Sequence, residues 1–145
     1  MNIAVFFGGR SCEHDISIIT GVQVLNALGD GYSLLPVYMK DGGFYTSDNM
    51  KEVGFFENPN LKKATRIWLI DGSFYTRKGR LILKKETPDV ALICCHGGEG
   101  ENGVLQGFLE YNGVPYTSAG LIASSVCMDK SIAKQLLDGL MLNTM

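Results

Sequence analysis

The chain has 145 residues, 46% of them hydrophobic and 19% charged, with 13 basic against 15 acidic side chains. That length makes one domain with room for a core, and a net charge of −2 argues against a nucleic-acid-binding role at whole-chain level. No apolar run approaches the roughly 20 residues that span a bilayer, and 18 Gly beside 4 Pro describe a turn-rich globular chain, not a low-complexity linker.

Met1-Asn2-Ile3-Ala4-Val5-Phe6-Phe7 has no basic leader and runs straight into Gly8-Gly9. Residues 3–7 therefore read as a strand buried on both faces, not as a signal peptide. A helix follows from about Glu13 or His14 to Leu28. Its Ile18, Val22, Leu25 and Leu28 recur at three-to-four spacing, and Gly29 and Gly31 stop it. Residues 32–39 form a second strand, with Pro36 near an edge or bulge. This β-α-β opening predicts a right-handed crossover between parallel strands.

The next stretch changes character. Asp41-Gly42-Gly43, Asp71-Gly72 and Lys78-Gly79 are turn signals that separate short runs at 66–70, 73–77 and 80–84. Asp-Gly as a two-residue link is a type I′ hairpin cue, so residues 41–86 are expected to hold an antiparallel meander. Residues 51–86 carry nine of the thirteen Lys/Arg and four acids. The solvated outer faces of a meander account for that better than an anionic partner.

The α/β alternation then resumes. Residues 89–95 are a buried strand, 96–103 a Gly-rich loop and 104–111 a helix closed by Gly113. A short strand at 114–117, a small-residue helix at 119–128 and a helix capped by Asp129 and running to about Leu137 complete the pattern. An apolar tail, 140–145, ends the sequence. Of the four cysteines, vicinal Cys94 and Cys95 lie on a strand that sends them to opposite faces. Cys12, Cys94, Cys95 and Cys127 show no CxxC spacing, so no zinc or thioredoxin site is supported. They are expected to be reduced, cytoplasmic thiols.

Ligands in a parallel α/β sheet bind beyond the carboxyl ends of the strands. Two loops qualify, 8–15 and 96–103, and each leads into a helix N-terminus with free N–H groups. The second contains a literal G-x-G-x-x-G from Gly98 to Gly103, but Glu99 and Glu101 inside it would repel a pyrophosphate, and no acid lies at the offset that holds a ribose. Glu13 and His96 are sharper candidates. A carboxylate at a helix start suits an ammonium group, and an imidazole at a strand end can donate to a carboxylate. Together they fit a zwitterion such as a free amino acid. The plainer alternative is that Glu13 decorates the first turn and His96 satisfies a loop carbonyl. A Cys95–His96 nucleophilic pair is geometrically poor, because neighbours on a strand point apart.

Val5-Phe6-Phe7-Gly8-Gly9-Arg10-Ser11-Cys12-Glu13-His14-Asp15-Ile16-Ser17 resembles the opening motif of D-alanine–D-alanine ligases. The segment from His96 to Gly107 is similar to that family's His-Gly…Gly-Glu-Asp/Asn-Gly…Gln-Gly signature. Pro115-Tyr116-Thr117-Ser118 and Ala123 to Lys130 resemble its Pro-Tyr-Thr-Gly and Ala-Ser-x-x-x-Met-Asp-Lys segments. Cys12 and Ser118 stand at positions the family varies, and the meander is a longer version of its region.

The resemblance implies a Rossmann-like α/β pre-ATP-grasp domain over residues 1–140, a mostly parallel sheet with flanking helices and the meander as an insert, with 141–145 opening a linker to an ATP-grasp domain. It implies a cytoplasmic, homodimeric enzyme that makes D-Ala-D-Ala for peptidoglycan, and hence for cell wall and cell shape. ATP and Mg²⁺ would be its cofactors and an acyl phosphate its intermediate. Carried over position by position, Glu13 would be the catalytic-site residue that binds the ammonium of the first D-alanine, and His96 would help hold its carboxylate. Ser17 and Gly103 would shape the pocket floor, and Lys130 would reach the nucleotide phosphates. The Mg²⁺-binding acids and most of the nucleotide pocket would lie beyond Met145, so the chain alone is expected to be inactive. The alternative is a stand-alone module that binds a small amino acid or nucleotide.

Overall fold

A computed structural model describes residues 1–57, 61–140 and 142 of the chain. Seven strands form a single mixed sheet: β1 (Asn2–Gly8), β2 (Ser33–Lys40), β3 (Gly43–Thr46), β4 (Thr65–Ile70), β5 (Ser73–Lys78), β6 (Leu81–Glu86) and β7 (Val90–Ile93), in the order β6-β5-β4-β3-β2-β1-β7. The helices are α1 (His14–Leu28), α2 (Val104–Tyr111), α3 (Leu121–Met128) and α4 (Lys130–Gly139). The fold is α/β.

β1 lies between β2 and β7 and is parallel to both. Its side chains alternate between two cores, as the two-residue period of a strand demands. Ile3, Val5 and Phe7 pack against Ile18, Val22 and Leu25 of α1. Ala4 and Phe6 join Leu35, Val37, Ile67 and Phe74 beneath Leu105 and Leu109 of α2. The vicinal cysteines divide in the same way, with Cys94 on the α1 side and Cys95 on the α2 side. Full burial of one such apolar side chain contributes about 1.5–3 kcal/mol, so α1, with a modest apolar stripe, is held mainly by this face.

The meander forms as expected, but it is no separate insert. Beginning with β3, whose four residues the turn signals had hidden, it pairs antiparallel onto β2 and extends the main sheet through β6. Asp71 and Gly72 both take positive φ, 47° and 72°, the signature of a type I′ turn. All nine Lys/Arg of residues 51–86 are exposed, as solvated faces require. Pro36 sits opposite Val5 on an interior strand, yet β3 pairs only with Tyr38–Lys40 of β2. At Pro36 the far side of β2 is therefore a local edge, where a missing N–H breaks no ladder bond.

Three expectations change. The strand at 114–117 is reduced to a single parallel bridge between Ala91 and Tyr116. Pro115 C=O accepts from Ala91 N–H, and Thr117 N–H donates to Ala91 C=O. The strand at 89–95 is shorter, ending at Ile93, and α3 starts at Leu121 behind Gly120, two residues later than its composition suggested. Apart from exposed Leu142, residues 141–145 lie outside the described residues, and the expected linker with them.

Gly21 is where α1 meets β1 most closely. A Cβ there would lie 2.6 Å from Phe7 Cβ and closer still to the ring. Gly21→Ala gains helix propensity but overpacks a buried seam, and the expected net loss is about 1–3 kcal/mol. A thermal melt checks it: the midpoint is expected to fall by several degrees, against a rise if propensity prevailed.

Candidate functional site

At the β1/β7 boundary the chain leaves the sheet in opposite directions, from β1 to α1 on one face and from β7 to α2 on the other. Such a switch point opens a crevice at the carboxyl edge of the sheet. The two Gly-rich loops meet in it.

Several hydrogen bonds join them. Ser11 Oγ donates to His96 C=O at 2.5 Å and accepts from Glu13 N–H at 3.1 Å. Arg10 N–H donates to Glu99 Oε1 at 3.1 Å. Glu13, exposed at the N-cap of α1, turns its carboxylate toward the second loop: a Cβ built on Gly97 would lie 3.1 Å from Glu13 Oε2. Gly97 itself has φ +65°, so a side chain there would be strained as well as crowded. The carboxylate also lies at the positive end of α1.

His96 is half-buried, with Nε2 2.8 Å from Thr20 Oγ1. Because Thr20 already donates to Ile16 C=O at 3.1 Å, its oxygen accepts from His96 Nε2–H. The partner is thus a hydroxyl on α1 and not the loop carbonyl of the plainer alternative. Thr20 was missed in the sequence, although it lies seven residues after Glu13 and so on the same face of α1.

Ser17 is fully buried beneath the loops. It accepts from Gly8 N–H at 2.8 Å and donates to Cys94 C=O at 3.2 Å. It underlies the crevice, as a floor would, but offers no surface to a ligand; its contribution is to tie β1, α1 and β7 together. Gly103, also buried and with φ +92°, is the N-cap of α2. A Cβ there would collide with Ser125 Oγ and come within 2.8 Å of Leu121 C=O, so Gly103 lets α3 close on α2.

Lys130 lies apart, exposed at the first residue of α4. The N–H groups of Ser131 and Ile132 are occupied by Asp129 Oδ1 at 2.9 and 3.1 Å. One cation beside a capped helix start does not make a nucleotide site. Among the described residues no group of three or more His, Cys, Asp or Glu could hold a metal ion. A cavity of about 430 Å³ opens on the α2 side of the first loop, between Arg10, Lys40, Phe44, Glu99 and Phe108. Neither Glu13 nor His96 lines it.

The cysteines are free. Burial pushes the Cys94 thiol up to about 11 and the Cys95 thiol up to about 12. Cys95 Sγ faces Phe6 C=O and Met39 Sδ, whereas the His96 ring turns to Thr20, so the two do not form a nucleophilic pair. No helix among the described residues is long and apolar enough to cross a membrane.

The family described as D-ala D-ala ligase N-terminus matches residues 2–119, a span that takes in both loops, the sheet and α2. The chain belongs to that family. It is 40% identical over 140 residues to the D-alanine–D-alanine ligase of Leptospira interrogans, covering 92% of this chain and 38% of that protein. The chain superposes on the Helicobacter pylori D-alanine–D-alanine ligase crystal structure with a TM-score of 0.86 at 26% identity, covering 100% of this chain and 46% of the other. Against a Bacillus anthracis D-alanine–D-alanine ligase crystallised with ATP, the TM-score is 0.64 at 28% identity, covering 99% and 38%. The chain therefore spans less than two fifths of the length of the curated relative it matches.

The thiol environments make a direct prediction. Iodoacetamide reacts with thiolate, and a raised pKa keeps Cys94 and Cys95 protonated at pH 7.5 and still largely so at pH 9. Exposed Cys12 and Cys127 are expected to label in the native protein, and all four in denaturant. Peptide mass mapping reads the outcome, and native labelling of Cys95 would contradict the buried assignment.

Proposed function

We propose that this chain is the substrate-gripping N-terminal domain of an ATP-dependent ligase that joins two D-alanine molecules for peptidoglycan, and that its crevice takes the first of them. The observation that carries the reading is the closure of the two loops through Ser11 and His96 C=O, with the Glu13 carboxylate turned to Gly97. An exposed carboxylate turned into the crevice suits an ammonium group there.

In the neutral His96 ring Nε2–H is committed to Thr20, which leaves Nδ1 bare. When Nδ1 carries a proton it can donate to a substrate carboxylate while Nε2–H keeps its bond to Thr20. Glu13 and His96 thereby grip the two ends of one zwitterion. Ser17 and Gly103 act beneath them, through the framework. Bound ATP would supply the phosphoryl group that activates the substrate carboxylate. Lys130 would reach a phosphate only as one contact of a site whose remaining parts, with Mg²⁺ and the rest of the nucleotide, would be held elsewhere in the enzyme. The working enzyme is proposed to be a cytoplasmic homodimer.

Two measurements test this. In a full ligase carrying the domain, Glu13→Gln keeps shape and hydrogen bonding but removes the charge. Charge-assisted hydrogen bonds are about twice as strong as neutral ones, so KM for the first D-alanine is expected to rise on the order of tenfold with the melting temperature little changed. An unchanged KM with a small loss of stability, at most about 1 kcal/mol, would reduce Glu13 to a helix-start charge. The 145-residue chain alone is expected to release no phosphate from ATP in response to D-alanine. A D-alanine-dependent release would overturn the division of labour.

A further inference from the structure

The first loop is closed on itself by a histidine that the site above does not use. His14 Nδ1 lies 2.6 Å from Gly9 C=O, and its Nε2 lies 3.0 Å from the Tyr38 hydroxyl. A carbonyl oxygen only accepts, so Nδ1 carries the proton. In the neutral ring Nε2 is then bare and accepts from Tyr38 O–H. Tyr38 is fixed as a partner: it is buried, its ring stacks on Phe7 at 5.8 Å and Phe56 meets it edge-on at 5.1 Å. Burial, then Asp41 and Asp15, push its hydroxyl up to about 12, so it stays a donor across the neutral range. Gly9 N–H donates to Met39 C=O at 2.9 Å. Both backbone groups of Gly9 are therefore held by β2, one directly and one through His14 and Tyr38.

We infer that His14 is a positioning residue: as its Nδ1–H tautomer it clasps Gly9 to Tyr38 of β2 and holds the first loop in the shape that turns Glu13 toward Gly97. Free histidine in water favours the other tautomer, so the clasp leaves a spectroscopic signature. The loop has few other constraints between Gly9 and the start of α1: Arg10 N–H on Glu99, Ser11 on His96 C=O, Glu13 N–H on Ser11 Oγ, and His14 N–H on Ser11 C=O at 3.3 Å. The catalytic consequence rests on the reading of Glu13 given above, whereas the clasp is a property of the chain.

Long-range proton–nitrogen correlation spectra of the nitrogen-labelled chain read both ring nitrogens of His14. Nδ1 is expected protonated and Nε2 bare, with Tyr38→Phe moving the population toward the Nε2–H form. A native ring in the Nε2–H form, or averaged between the two, overturns the inference. Amide exchange gives a second reading. Replacing the clasp by His14→Leu is expected to speed exchange at Gly9, Arg10 and Glu13 about tenfold, a local opening, while α2 is unaffected. His14→Asn, whose side-chain N–H stands where Nδ1–H was, is expected to restore most of the protection. Unchanged rates, or a uniform acceleration throughout the chain, overturn the proposal. In a full ligase, His14→Leu is expected to raise KM for the first D-alanine several-fold with a smaller change in kcat, and His14→Asn to recover it. If His14→Leu leaves KM unchanged while Glu13→Gln raises it, the clasp does not position Glu13 and the inference falls. If Glu13→Gln is inert too, the functional reading falls, and the spectra and exchange rates alone decide the clasp.

Discussion

The geometry of the crevice depends on one buried hydroxyl. Where β1 and β7 end side by side, their chains part to opposite faces of the sheet, and the last backbone groups there, Gly8 N–H and Cys94 C=O, both turn to Ser17. An apolar residue at this position would leave both groups buried without partners, at about 1–3 kcal/mol for each. Ser17 is small enough to lie under α1 with no exposed surface, and it both accepts and donates. The divergence of the two strands, and hence the crevice, follows from this satisfied split.

Above that staple the loops lock by short contacts and not by a deep cavity. Ser11 bridges to His96 C=O, Glu99 accepts from Arg10, and Thr20 holds the His96 ring. Each of these crosses from one loop or its helix to the other, so the two motifs form one mechanical unit. An imidazole held by such a unit loses little side-chain freedom when a ligand arrives, and preorganisation of that kind is where small-ligand affinity is gained. The 430 Å³ cavity beyond Arg10 is roomier but lacks that convergence of fixed polar groups.

The central β-α-β unit, α2 and the turns of the meander were legible because their patterns are local: alternation, three-to-four spacing and Asp-Gly pairs. The strand at 114–117 was not, because its residues suit a strand but only Tyr116 comes into register, against Ala91 at the sheet edge. β3 escaped notice for the opposite reason; four residues behind a turn carry no period of their own, and pairing with β2 and β4 makes them a strand. At the site, Glu13 and His96 could be singled out by residue type and loop position. Thr20, His14 and Tyr38 could not, since their roles come from tertiary contacts between segments that local sequence pattern does not link.

The literal G-x-G-x-x-G shows how a spacing can arise from a different constraint. In a dinucleotide fold these glycines admit a pyrophosphate to the backbone. Here a Cβ on Gly100 would strike Cys95 Cβ beneath the loop, and one on Gly103 would strike Ser125 on α3. Gly98, with φ +52°, lies against Ser11 of the first loop. The three glycines thus face the sheet, a neighbouring helix and the other loop, and each permits a close protein–protein approach. Glu99 between them accepts from Arg10 N–H, using an acid where a phosphate site would exclude one. The motif is a packing solution for drawing a loop tightly over the end of a sheet, and the chemistry of the crevice belongs to the side chains that this tightness brings together.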